Sequence, residues 1–253
     1  MYLANKIGMP NPFLSIVIPA YNESQRITAT LLDMDSVLAS AGYSHEIVVV
    51  VDGAKDGTAD VARGLGNRVR NLCVIENKEN HGKGYVTRQG LLEAKGEWRL
   101  FTDADNSTTM REFEKFRPFL GKGYDVVIAS RALPGAELLP PQPWYRKVPG
   151  KIGNLIIQAL ALPGIRDTQC GFKCFSARAT EKIFPRMRTA RWGFDVEALA
   201  LARHFGFRIK EVPVRWVNDE RSKVGMGAYI TTLVEVAKLR WWLWTGVYGK
   251  KER

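Results

Sequence analysis

Glu46-Ile47-Val48-Val49-Val50-Val51-Asp52-Gly53-Ala54-Lys55-Asp56-Gly57-Thr58 decides the fold. A β-branched run that stops at Asp-Gly predicts a strand entering a turn, and Thr58–Leu65 then has helical spacing. An apolar strand without alternation suits a parallel sheet covered on both faces. Working outward, Ser15–Ile18, Leu72–Ile75, Trp98–Phe101 and Val126–Ala129 repeat the pattern. Helical spacing falls between them over Ser24–Ala41, Lys83–Ala94 and Met110–Leu120. This alternation predicts an α/β, doubly wound, mostly parallel sheet that binds ligands at the carboxyl ends of its strands.

After Arg131 the rhythm breaks. Pro134, Pro140, Pro141, Pro143 and Pro149 mark a surface loop. A helix near Tyr145–Leu162, a strand over Cys170–Phe175, a helix over Phe194–Phe205 and a strand over Phe207–Val217 follow. Ala228–Trp244 reads as an amphipathic helix. The expected organisation is a first half (1–131), a second half (132–225) and a C-terminal helical extension (226–253).

The chain has 253 residues, 45% hydrophobic and 25% charged, the balance of a globular chain and not of a disordered one. The longest apolar run is about half the ~18 residues a membrane-spanning helix needs. Met1–Phe13 carries only Lys6 and no long apolar core, unlike a secretory signal. Three cysteines (Cys73, Cys170, Cys174) are too few for a disulfide framework, and Cys170 and Cys174 lack zinc-spaced partners. A reduced intracellular protein is the expectation. The net charge of +11 is unevenly placed. Residues 1–141 hold 16 Lys/Arg and 17 Asp/Glu, whereas 142–253 hold 21 and 9. One end of the molecule should therefore meet an anionic partner: nucleic acid, a membrane surface or a phosphorylated substrate.

The polar clusters fall at strand ends. In Asp103-Ala104-Asp105 two carboxylates on a turn can face one hard cation, Mg²⁺ or Mn²⁺, although such a pair also occurs on a solvated turn. Asp52 can bond a base or ribose, or equally cap the helix near Thr58. Neither reading is decisive alone; the order of the set is. Pro19-Ala20-Tyr21-Asn22-Glu23, Asp52–Thr58, Asn80-His81-Gly82-Lys83-Gly84 and Asp103-Ala104-Asp105 follow one another on successive strand ends.

That ordered set resembles the family 2 glycosyltransferases, whose nucleotide-sugar domain has the GT-A fold. The likeness extends through Ser130-Arg131, Asp167–Lys173, Trp192–Glu197, Glu211–Trp216 and Ser222-Lys223-Val224 and is with the dolichyl-phosphate β-glucosyltransferase branch. It implies an inverting, metal-dependent transfer of glucose from UDP-glucose to a polyprenyl phosphate. Pro19, Tyr21, Glu23 and Asp52 would line the base and ribose pocket, with Lys83 near the base or phosphates. Asp103 and Asp105 would hold the metal and pyrophosphate, and Arg131 would meet the acceptor phosphate. Gln169 and Gly171 would border the sugar, while Arg221 and Lys223 would close over the diphosphate.

Mannosyl relatives often carry a metal-binding Gln two residues beyond the carboxylate pair; here that position is Ser107, which leans towards UDP-glucose and away from GDP-mannose. Asp195 is the candidate base if the acceptor is a hydroxyl, with a structural pairing to Arg191 as the alternative. Lys238, Arg240, Lys250, Lys251 and Arg253 accompany Tyr229, Trp241, Trp242, Trp244 and Tyr248, a mixture suited to a membrane–water interface. A peripheral position on the cytosolic face of a membrane is expected; packing of the tryptophans against the sheet is the other reading. A nucleic-acid-binding module fits the acidic strand ends poorly, and a nucleotide-sugar-binding relative without activity fits the retained Asp103 and Asp105 poorly.

Overall fold

The structure, a computed structural model, describes residues 11–140, 153–218 and 226–249. Arg221 and Lys223, Pro141, Pro143 and Pro149, and Lys250, Lys251 and Arg253 lie outside the described residues.

Five parallel-capable runs become strands where the apolar pattern puts them: β1 (Leu14–Ala20), β2 (His45–Asp52), β3 (Leu72–Asn77), β4 (Trp98–Thr102) and β5 (Val126–Ser130). Later come β6 (Glu137–Leu139), β7 (Phe172–Ser176), β8 (Ile209–Pro213) and β9 (Arg215–Val217). The main sheet has the order β3-β2-β1-β4-β7-β5-β8, and β6 pairs with β9 in a second, two-stranded sheet. Every residue of β1 is buried, as a strand covered on both faces requires.

Alternate residues of β1 and β2 enter different cores. Ile16, Ile18, Val49 and Val51 meet α1 (Ile27–Leu38) and α2 (Thr58–Arg63) on one side. Val17, Val48 and Val50 meet α3 (Lys83–Glu93), α4 (Ala177–Ile183) and α5 (Phe194–His204) on the other. The final helix, α6 (Met226–Trp244), adds Val236 and Leu239 to this second core. Residues 153–160 are also helical.

Two elements differ from expectation. The single helix expected over Met110–Leu120 is two 3-10 helices, Met110–Lys115 and Arg117–Phe119. The apolar residues there recur every third position (Met110, Phe113, Phe116, Phe119), the period of a 3-10 helix, and Pro118 is the second residue of the second segment. The strand expected over Phe207–Val217 divides after Pro213, which cannot donate to a ladder, and the chain passes into the second sheet. β7 runs antiparallel between β4 and β5. The chain leaves β5 at the ligand-binding edge and returns down through β7 from that same edge, which puts Gly171 beside the end of β4, where Thr102 pairs with Phe172.

Candidate active site

The Asp103-Ala104-Asp105 turn is held from three directions. Thr30 on α1 donates its hydroxyl to Ala104 O at 2.7 Å, Asp103 N–H donates to Gly171 O at 3.2 Å, and Val217 N–H donates to Ser107 O at 2.8 Å. A Cβ at Gly171 would lie 2.1 Å from Asp103 Oδ2 and 2.4 Å from its Cγ, so this glycine is the bed on which the carboxylate rests. Gly171→Ala must therefore displace Asp103. The expected result is a fall in transfer of about 100-fold with the circular dichroism of the native fold retained, since small misplacements of reacting groups cost that much. Wild-type activity in this variant would contradict the placement.

Lys83, the first residue of α3, brings its Nζ to 2.5 Å from Asp103 Oδ1 and lies 5.7 Å from the Trp192 ring centroid. Burial opposes the Lys83 charge, yet the carboxylates of Asp103, Asp195 and Asp105 outweigh it and hold the ammonium above its ordinary range. Asp105 is pushed up by burial and by the neighbouring Asp103 charge. Just beyond it, Asn106 Oδ1 and Ser107 Oγ are buried oxygens without a hydrogen-bond partner. Two crowded carboxylates with uncommitted oxygens beside them fit a hard divalent cation. Among the described residues no group of three or more His, Cys, Asp or Glu side chains forms a metal site, so phosphate oxygens of a ligand would have to complete the shell.

Asp52 has a specific task here. One carboxylate oxygen accepts His81 N–H at 2.8 Å and the other accepts Gly82 N–H at 2.9 Å. The side chain is thereby engaged with the turn that starts α3 and delivers Lys83. It does not cap α2, whose N-cap is Gly57; Asp56, just before that glycine, accepts Thr58 N–H at 3.0 Å. Although burial works against it, hydrogen bonds from Thr58 and Ser24 hold the Asp56 carboxyl at about 2.

Arg131, at the end of β5, forms a forked pair with Asp167: Nε to Oδ2 at 2.8 Å and an η nitrogen to Oδ1 at 3.0 Å. The guanidinium also lies 5.5 Å from the Trp216 ring centroid. Burial alone would raise Asp167, but the Arg131 guanidinium beside it overrides this and holds the carboxyl at about 2. Because this folded value lies below the unfolded one, the pair stabilises the protein fully above pH ~4 and the stability is lost as pH falls towards 2. Urea unfolding compared at pH about 6, 4 and 3 should show a loss of about 1 kcal/mol by pH 3 from this group, absent in Asp167→Asn.

Asp195, on the first turn of α5, pairs with Lys173, whose Nζ lies 2.5 Å from Asp195 Oδ1 and 2.6 Å from Cys170 O. The partner expected from sequence, Arg191, is displaced by a lysine that is 0% exposed. Burial pushes the Asp195 carboxyl up, against the pull of Lys173 and Lys83. A charged residue inside the apolar run Phe172–Phe175 is the sequence signal for Lys173, and Asp167 opens the Asp167–Lys173 stretch without a signal of its own.

The structure brings Lys83, Asp103, Asp105, Arg131, Gly171 and Asp195 into one electrostatic neighbourhood. Gln169 is exposed near it. The β1 and β2 exits form a separate feature, a cleft of about 400 Å³ lined by Asn22, Glu23, Ser24, Gln25, Arg26, Lys55 and Asp56. Within it Glu23 is paired with Arg26, at 2.8 Å to an η nitrogen. Pro19 is buried in β1, and Tyr21 beside the cleft is 49% exposed.

A doubly wound sheet whose strand ends present an acidic pair, a lysine and an arginine has the charges that suit a phosphorylated ligand with a divalent cation. The profile of glycosyl transferase family 2 matches residues 15–184, and the chain belongs to that family; it is a glycosyltransferase. It is 31% identical over 260 residues to the dolichyl-phosphate β-glucosyltransferase of Dictyostelium discoideum, covering 98% of this chain and 80% of that protein. With the enzyme of that description from Drosophila melanogaster the identity is 35% over 228 residues, 85% of this chain and 70% of the other. The Homo sapiens protein gives 32% over 231 residues, again 85% and 70%. In fold the chain is similar to glucosyl-3-phosphoglycerate synthase from Mycobacterium tuberculosis, solved with Mn²⁺, UDP-glucose and phosphoglyceric acid. The TM-score is 0.68 at 19% identity, covering 90% of this chain and 79% of that one. The described residues contain no helix long and apolar enough to cross a membrane.

Proposed function

We propose that this chain transfers glucose from UDP-glucose to a polyprenyl phosphate of the dolichyl type, with inversion and with Mg²⁺ or Mn²⁺. The observation that carries the proposal is the meeting of Lys83, Asp103 and Asp105 with Arg131 at one edge of the sheet. Relatives described as dolichyl-phosphate β-glucosyltransferases support the sugar and acceptor. The half up to Arg131 would bind the donor and the half beyond it the acceptor.

Asp103 and Asp105 would hold the divalent ion, which when bound supplies positive charge to the departing diphosphate. Lys83 adds a fixed cation to the same charge, and its ion pair with Asp103 keeps it aimed there. Arg131, locked in place by Asp167, presents a planar cation to the acceptor phosphate. That phosphate is largely dianionic at neutral pH, since its second pKa is about 6, so no proton has to be removed. Its oxygen bonds to the sugar C1 as the C1–O bond to the diphosphate breaks, and attack from the opposite face turns an α-linked donor into a β-linked product. Asp195 then serves as the counter-charge of Lys173; a hydroxyl acceptor would instead call on it as base.

The outer face of α6 supports a peripheral position on a membrane. Trp241 and Trp244 are 58% and 73% exposed and, with Ala237 and Arg240, line a groove of about 320 Å³. Aromatic rings beside a guanidinium suit the lipid headgroup layer. Trp242 instead packs on the core.

The test is transfer of radiolabelled sugar to polyprenyl phosphate in vesicles, from UDP-glucose or GDP-mannose, with Mg²⁺, Mn²⁺ or EDTA. Label in the lipid phase from UDP-glucose with metal is expected, together with sedimentation of the protein with the vesicles. Label from GDP-mannose alone would overturn the donor, label undiminished by EDTA the metal, and protein left in the supernatant the membrane position.

A further inference from the structure

Residues 188–193 lie between the donor side of the site and the C-terminal helix. Towards the site, Tyr85 N–H donates to Ala190 O at 3.1 Å. A Cβ at Gly82 would lie 2.5 Å from Ala190 O, and one at Gly84 would lie 2.8 Å from Thr189 O and 2.7 Å from Phe194 Cβ. The two glycines flanking Lys83 are thus pressed against this segment, and its Trp192 ring faces the Lys83 ammonium.

On the other side, carboxylates grip the same segment. Glu197, fully buried on α5, accepts Arg188 N–H and Thr189 N–H, each at 2.8 Å, and the Tyr248 hydroxyl at 2.6 Å. Glu235 on α6 accepts Gly193 N–H at 2.6 Å. A Cβ at Gly193 would lie 2.8 Å from Glu235 Cβ, so the helix rests directly on that peptide. Burial pushes the Glu235 carboxyl up. From α6 the segment meets Glu235, which takes the Gly193 N–H, and Trp242, whose ring centroid lies 5.9 Å from the Arg188 guanidinium.

We propose that Glu235 is a positioning residue for the donor site: it fixes the Trp192–Gly193 peptide, and through it the Trp192 ring and the turn that presents Lys83 to the donor diphosphate. The C-terminal helix is then part of the donor-binding apparatus as well as an outer surface. The inference rests on the reading of Lys83 as a donor-phosphate lysine, and the experiment separates the two.

UDP is titrated calorimetrically into the full chain with Mn²⁺ present, for wild type, Lys83→Met, Glu235→Ala and Glu235→Gln. Lys83→Met should weaken UDP binding. Glu235→Ala should weaken it about tenfold at unchanged stoichiometry, because the Gly193 N–H loses a charged acceptor. Glu235→Gln keeps an acceptor oxygen and should stay within about threefold of wild type. Wild-type affinity in Glu235→Ala beside a weakened Lys83→Met overturns the inference alone. A reduced stoichiometry with unchanged affinity also overturns it, since that is the mark of a merely structural role. An unaffected Lys83→Met overturns the donor-lysine reading and the inference with it.

Discussion

Asp105→Asn is expected to abolish sugar transfer, by at least about 10³-fold, while the protein melts at or above the wild-type temperature in EDTA. The two halves of this result have one cause. Asp105 is partly buried near Asp103, and both its desolvation and that neighbouring charge disfavour its ionised form. Replacing it with a neutral side chain of the same shape relieves the repulsion and leaves Ser107 N–H an oxygen to bond, as Asp105 Oδ1 does now at 2.9 Å. What disappears is half of the anionic seat for a divalent ion. A group that costs stability and is indispensable to rate is the usual signature of a functional position. Full activity in Asp105→Asn would remove the metal seat from this turn; a lowered melting temperature would mean that the crowding of charge is relieved in some other way.

Arg131→Ala is expected to have two separable effects. The first is on stability: Asp167 would remain buried with its charge unpaired, at a cost on the order of 3 kcal/mol. The second is on the reaction: the requirement for lipid phosphate should rise by about tenfold or more, with the requirement for nucleotide-sugar little changed. The double variant Arg131→Ala/Asp167→Asn distinguishes them. It removes the orphaned charge and should recover most of the melting temperature, and the acceptor defect should persist. If the double variant recovered acceptor use too, Arg131 would be a structural partner of Asp167 and nothing more. Equal effects on donor and acceptor would contradict the acceptor assignment directly.

The parts of the fold legible in sequence are those governed by local pattern. Val48–Val51 and Ile16–Ile18 announce buried parallel strands because every residue is apolar, and their Asp and Asn exits mark the ligand-binding edge. The 3-10 character of 110–119 is present in the sequence as a three-residue spacing of Phe, which is close enough to the commoner α-helical period to pass for it. The direction of β7 was not legible, since an isolated five-residue apolar run carries no sign of which way it enters a sheet. In the site the residue types were visible and their partners were not. Lys173 and Asp195 stand 22 positions apart, and Gly193 and Glu235 stand 42 apart. Pairings of that kind are set by how layers stack, and one sequence without its fold offers no period from which to infer them. Asp52 shows the same limit: its place at a strand end was evident, and its hold on His81 and Gly82 across 29 and 30 residues was not.

The antiparallel strand at the middle of the sheet has a consequence for how the protein is made. β3, β2, β1 and β4 all come from the first 102 residues and can assemble side by side as the chain emerges. β5 is synthesised next, but its two neighbours in the finished sheet are β7 and β8, both encoded later. A nascent chain that has not yet reached Phe172 therefore carries open edges on β4 and β5, with backbone donors and acceptors ready to pair with any strand available. Ribosome-bound chains and fragments ending in this interval should be the ones that aggregate or recruit chaperones. The completing strand is also the one that seats Gly171 under Asp103, so catalytic competence arrives late in synthesis, after most of the framework already exists.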